Sequence, residues 1–417
     1  MIRNITRCLH NATFKEKYNN LIINNLKKIK IDDIKQSLVV RNENVEIKDL
    51  CELLQNVHNG NYYEIFSMIN NLPNLVSPTT PVGKEKDSII TKLVKTNENK
   101  FSKHAQIIGK DLCQLRINDV NAGAESRAYY LNGHFAMLER ALIRYTLEIL
   151  MKNGFQLISV PDIINKNIVQ KSGFKIDPFK NQIYNVVTNP DELTSIFKQN
   201  ELNTSCPNEC LAGTSEMALA TYLSNSVLKK QNFPIKLCAV SRCYRREVSG
   251  LESHLYRVHQ FNKVEMFCAT SQSESEKMLD YIVDIQTKII APLGLEFRIL
   301  DMASEELGNP AFKKYDIEVW MPGDKIYGEI SSASNCTDYQ ARTMNIFYEN
   351  ENDDLDFAHT LNGTGCAVPR LLKSILETHH TENGHVVVPE VLRKYMKDIC
   401  KITRQHPPLK VNWIKKL

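Results

Sequence analysis

No run of apolar residues in this chain is long enough to cross a bilayer, so no membrane-spanning helix is expected. A paired-cysteine frame is missing too. The 11 cysteines are scattered, odd in number and follow no secretory leader, which fits a reducing compartment better than a disulfide scaffold. Cys206 and Cys210, with Pro-Asn-Glu between them, could be half of a zinc site, but no matching Cys or His pair lies near, and the segment reads as loop. A glycine fingerprint set in alternating strands and helices is absent, which excludes a dinucleotide-binding doubly wound fold. The net charge of +4 over 417 residues is too small to mark a polyanion-binding protein by itself. Acid is lacking at the start: none precedes Glu16, while Arg3 and Arg7 accompany Ile2, Ile5, Leu9 and Phe14 on one side of a helix. That pattern predicts a mitochondrial transit peptide over residues 1–20.

With 42% hydrophobic and 24% charged residues, the chain has the composition of a soluble globular protein, long enough for two or three domains. Helical spacing on both sides of a polar break at Asn42–Asn44 predicts two short helices between Ile31 and Gln55, and a third follows around Tyr62–Asn71. Residues 21–72 thus read as a small helical region. A linker rich in Pro and Gly runs over 73–100, a body over 101–395, and a basic tail over 396–417. Within the body, Ser126–Gly154 reads as one long amphipathic helix, with Leu138, Leu142, Tyr145, Ile149 and Leu150 in its stripe and Asn153-Gly154 as its stop. Strands followed directly by strands, with helices at the flanks, predict an α+β fold built on a mostly antiparallel sheet.

The most informative stretch is Val240–Thr270, two strands joined by a polar loop. Alternation puts Arg257, His259, Phe261, Lys263 and Glu265 on one face and Tyr256, Val258, Val264 and Met266 on the other. Arg245 and Glu247 can join the first set across the hairpin. Guanidiniums, carboxylates and a ring on one surface suit a ligand that carries phosphates, an ammonium group and a flat base. A solvated sheet face with cross-strand ion pairs is the plainer alternative.

Five segments in order resemble the motifs of seryl-tRNA synthetases, a family of class II aminoacyl-tRNA synthetases, and within it the mitochondrial animal branch, with an insect the expected source. The helix, strand and Pro161 resemble motif one, a dimer interface. CYRRE with LYRVHQFNKVEMF resembles motif two, and TLNGTGCAVPRLLKSILE resembles motif three. GTSEMALA resembles the serine-binding T-x-E segment, and YDIEVWMP with EISSASNCTDYQAR resembles blocks particular to seryl enzymes. The resemblance implies that serine, ATP and tRNA are substrates, with a seryl-adenylate intermediate and magnesium arriving with the ATP. It also implies roles for residues. Arg245 would bind the α-phosphate and the serine carboxylate, and Arg370 would contact the γ-phosphate and stack on adenine opposite Phe261. Glu247 would receive the adenine amino group, and Glu329 with Ser332 would meet metal and phosphate. Thr214, Glu216 and Glu265 would hold serine, Glu265 taking its ammonium, with Asn362 and Thr364 near its hydroxyl. Arg245, Glu265 and Arg370 would carry the catalysis, in the mitochondrial matrix, on a mitochondrial serine tRNA.

Two departures matter. The family's long helical hairpin has no room here, because even wholly helical, Gln55–Leu72 would span only about 27 Å at roughly 1.5 Å per residue. The loop between Glu247 and Tyr256 is short and lacks basic residues, and Gly328 and Thr343 stand where relatives often carry Arg. Basic residues from Arg393 to Lys416 could grip a phosphate backbone instead. The competing reading is a non-catalytic, synthetase-like paralogue that binds tRNA or pairs with a true synthetase. A homodimer, or a heterodimer with such a chain, is expected.

Overall fold

The computed structural model describes residues 3–4, 12–55, 62–96, 101–117, 127–174, 183–187, 208–247 and 255–405. Outside them lie residues 1–2 and 5–11 of the expected leader, Cys206, the loop centre 248–254, and Lys410, Lys415 and Lys416 of the tail.

An eight-stranded sheet forms the centre: β1 (Ile89–Val94), β2 (Gln156–Leu157), β3 (Ile235–Tyr244), β4 (Gln260–Thr270), β5 (Phe297–Asp301), β6 (Lys313–Met321), β7 (Ile326–Asn335) and β8 (His359–Ala367). Their spatial order is β1-β5-β6-β7-β8-β4-β3-β2. Every neighbouring pair is antiparallel except β2 beside β3. This is the expected α+β layout. The predicted hairpin is β3 and β4, with Val240 opposite Val264 and Tyr244 opposite Gln260.

The helices divide between the two faces. The three short helices predicted near the N-terminus are present as α2 (Ile31–Val40), α3 (Lys48–Gln55) and α4 (Tyr62–Asn70), preceded by α1 (Ala12–Lys28). The body adds α5 (Gly133–Lys152), α6 (Glu216–Leu223), α7 (Ser275–Ile290), α8 (Tyr339–Met344) and α9 (Val368–Thr378). Helices α5, α7 and α9 cover one face, packing Leu138, Leu142, Ile282, Ile285, Leu371 and Ile375 with Val264, Met266 and Cys268 of β4. Each such side chain, fully buried, stabilises by roughly 1.5–3 kcal/mol. On the other face, Leu237, Ala239, Phe267 and Ala269 join a second core with Leu21, Ile22, Leu26, Ile65 and Phe66 of the N-terminal helices. The helical region is therefore packed against the sheet rather than set apart. The boundary expected at residue 20 falls inside α1, whose Leu21, Ile22 and Leu26 are buried.

Two other boundaries differ from the sequence reading. Helix α5 starts at Gly133 rather than Ser126, because Tyr130-Leu131 pair with Leu115-Arg116 in a small ribbon. It ends as predicted, with Gly154 in the left-handed region at φ 81°. The segment 73–100, read as linker, contains β1, the outer strand paired to β5.

Candidate active site

Sheet parity opens the site. Phe261, Lys263 and Glu265 of β4 line a cavity of about 280 Å³, while Val264 and Met266 between and beyond them face the helices. The β4–β8 register shifts between Val264 and Glu265, a bulge of the kind that re-aims side chains beside sites. Thr214, Glu216, Arg245, Glu247, Phe261, Glu265, Glu329, Ser332, Asn362, Thr364 and Arg370, all singled out in the sequence, line this one cavity. The strand parity does not extend below Gln260. Residues 255–259 precede β4, and Tyr256 and Val258, expected on the opposite face, line the cavity too.

One end is a buried carboxylate pair. Glu216 begins α6, its backbone N–H donating to Thr214 Oγ1 at 3.3 Å. Its Oε1 accepts from Gln340 Nε2 at 2.6 Å and from Asn362 Nδ2 at 2.9 Å. Burial, reinforced by the neighbouring Glu265, pushes the Glu216 carboxyl up to about 7, against the pull of Gln340, Lys263 and Arg245. Glu265 is 2% exposed and meets the Lys263 ammonium at 2.5 Å through Oε2, which also accepts from Thr364 Oγ1 at 3.4 Å. Lys263 donates in addition to Thr214 Oγ1 at 2.8 Å. Lys263 stood on the right face in the sequence, but nothing there showed its partners.

The other end holds the arginines. Arg370, in the first turn of α9 behind Pro369, donates from Nη1 to the Glu329 carbonyl at 2.8 Å and to Glu329 Oε2 at 3.1 Å. Its Nε donates to the Tyr256 carbonyl at 3.2 Å, and its Cζ lies 4.4 Å from the centre of the Tyr256 ring. Burial alone would raise the Glu329 carboxyl, but the charges of Arg370, Lys314 and Arg245 outweigh it and hold the group down at about 2. A Cβ on Gly328 would come within 2.8 Å of the Tyr256 ring and 2.7 Å of Met321 Cε, so the glycine leaves room for that ring. Arg245 donates from Nε to the Gly213 carbonyl at 3.3 Å, with its Cζ 5.5 Å from the Phe261 ring. Glu247 takes a φ of 32° and faces Arg257 Nη1 at 3.4 Å. Beside Glu329, Lys314 pairs with Asp316 at 2.8 Å, and burial carries the Asp316 carboxyl to about 7 in spite of that lysine. Elsewhere, His104, Asp324 and Glu377 converge, but Lys373 bridges the two acids as an internal cation.

A mostly antiparallel sheet with an arginine beside its hairpin, a second on the helix after its last strand, and buried acids between them defines a class II synthetase core. The family model for the tRNA synthetase class II core domain (G, H, P, S and T) matches residues 201–379. The serine-tRNA ligase of Dictyoglomus turgidum is 35% identical over 358 residues, covering 84% of this chain and 80% of that relative. The mitochondrial serine-tRNA ligase of Mus musculus is 38% identical over 352 residues, covering 83% of this chain. This chain spans 65% of the length of that mouse relative. Among solved structures, the seryl-tRNA synthetase of Pyrococcus horikoshii complexed with ATP superposes with a TM-score of 0.74 at 28% identity, covering 94% of this chain and 91% of that one. The chain belongs to the seryl-tRNA synthetase family.

Proposed function

We propose that this protein activates serine with ATP and transfers the seryl group to a mitochondrial serine tRNA. The observation that carries the reading is that one cavity holds acids at one end and arginines facing rings at the other. Serine's ammonium is taken by Glu265, with Thr214 and Glu216 beside it. Its carboxylate is drawn to Arg245, which also holds the α-phosphate. The carboxylate oxygen bonds to the α-phosphorus as the bond to the bridging oxygen breaks, leaving seryl-adenylate and pyrophosphate. Positioning and charge stabilisation supply the acceleration. Adenine lies between Phe261 and the Arg370 guanidinium, its amino group toward Glu247, and Thr364 and Asn362 wall the serine hydroxyl. A pocket that must satisfy a hydroxyl rejects alanine by leaving polar groups unpaired.

Magnesium fits the donors present: Glu329, held ionised, and Ser332 both line the cavity and would supply oxygen ligands. When bound with ATP, the ion would neutralise phosphate charge there. The mitochondrial names of the mouse and cow relatives support a mitochondrial location, with the matrix as its compartment. The family's dimer, as homodimer or heterodimer, would use α5 and β2.

Serine-dependent exchange of labelled pyrophosphate into ATP tests the reading, with alanine and threonine as controls. Exchange with serine only is expected. The short α4 favours a second reading, a non-catalytic paralogue that works beside a true synthetase. A folded chain without exchange, alone or with a co-expressed partner, would select that reading.

A further inference from the structure

One buried arginine of the N-terminal helical region reaches the cavity wall. Arg41 follows α2 directly and is 6% exposed. Nε donates to the Asn74 carbonyl at 3.1 Å, Nη1 to Leu307 at 3.1 Å and Gly308 at 3.2 Å, and Nη2 to Leu75 at 3.4 Å and Ala311 at 2.6 Å. A guanidinium has five N–H donors in a rigid fork, and here every one meets a backbone carbonyl. Burial lowers the group to about 10, a cost that the carbonyl dipoles offset in part.

The segment so gripped is part of the site. Gly308, Pro310 and Ala311 line the cavity. Asn74 supplies a second pin, donating from Nδ2 to the carbonyls of Pro310 at 2.8 Å and Cys336 at 2.9 Å. Cys336 also lines the cavity and lies 3.6 Å from Asn362 Nδ2, the same amide that donates to Glu216. Arg41 of the N-terminal region grips the carbonyls of Asn74 and Leu75 as well as the wall, and Asn74, two residues past that region, leads through Cys336 to the acid end of the pocket.

We propose that the reduced N-terminal region, with the first residues of the segment that follows it, serves as a buttress for the serine end of the cavity, with Arg41 and Asn74 as positioning residues. This rests on the serine reading given above. Arg41 touches no substrate; it fixes the wall from Leu307 to Ala311, and Asn74 fixes Cys336, the residue directly after β7.

The test uses the whole chain with Arg41→Met, Arg41→Lys and Asn74→Ala. Pyrophosphate exchange gives KM for serine and for ATP separately, and hydrogen–deuterium exchange reads the amides of residues 307–312. Arg41→Met should raise the serine KM roughly tenfold and speed amide exchange in that segment, with the ATP KM held within about twofold. Arg41→Lys should behave like Arg41→Met, because one ammonium cannot reach carbonyls arranged for a fork. Asn74→Ala should show a smaller change in the same direction. A lowered Tm with an unchanged serine KM would make Arg41 a structural pin only and overturn the proposal. If Arg41→Met does not fold, Asn74→Ala decides by the same criteria. Should the unaltered chain show no exchange, the serine reading fails first, and the amide exchange of residues 307–312 alone then supports or refutes the buttress.

Discussion

Glu216→Gln separates stability from function at the acid end of the pocket. The native carboxyl sits at about 7 against 4.5 for an unperturbed glutamate, with burial the main cause. Between those values the folded chain binds more protons than the unfolded one, so stability falls as pH rises through that window and levels off above about 7. At about 1.4 kcal/mol per pH unit, the penalty at neutral to alkaline pH is about 3 kcal/mol. Glutamine cannot ionise, and its amide oxygen can still accept from Gln340 and Asn362. Urea denaturation at about pH 4, below the unfolded value, should find the two proteins close to equal. At about pH 8 the variant should be the more stable by about 3 kcal/mol. Asp316, also raised to about 7, gives the unaltered chain and the variant a common slope, so the difference between them is the quantity to read. The same variant should raise the serine KM by roughly 10- to 150-fold at about pH 8, since a charged hydrogen bond is worth about 1.5–3 kcal/mol. Parallel stability curves for both proteins would refute the reasoning.

Arg370→Ala should reduce pyrophosphate exchange by at least roughly 100-fold, as loss of a charge aimed at the reacting phosphates requires; unchanged exchange would remove Arg370 from the site. Glu265→Gln leaves Lys263 buried without its counter-ion, and should lower stability by about 3–5 kcal/mol in denaturant melts while raising the serine KM. Tyr256→Ala should weaken ATP binding by roughly tenfold in equilibrium titration, and Tyr256→Phe should keep it, because the ring face supports the Arg370 guanidinium. Tighter ATP binding in Tyr256→Ala would mean that the ring blocks the adenine site.

Much of the fold and site was legible because the informative residues lie at short, regular spacings. Phe261, Lys263 and Glu265 alternate along one strand, and Arg370 follows a proline at a helix start, so each can be placed from its neighbours. What stayed hidden depends on contacts made across long stretches of chain. Lys263 finds Thr214 across 49 residues, and Arg41 finds Ala311 across 270, through carbonyls that every residue possesses. Tyr256 escaped for the opposite reason: the two-residue period does not apply to the irregular turn before β4. Strand β1 was taken for linker because it is an outer strand with residues exposed on both faces, so Ile89–Val94 carries no alternation to read.

Lys263 gives the pocket a further property. With its ammonium already against Glu265, the serine end is never an open negative hole waiting for any passing cation. Uptake of serine there becomes an exchange in which one ammonium shares or takes over the place of another. The enclosed charge changes little, so serine affinity should respond only weakly to ionic strength, unlike a surface site built on long-range attraction.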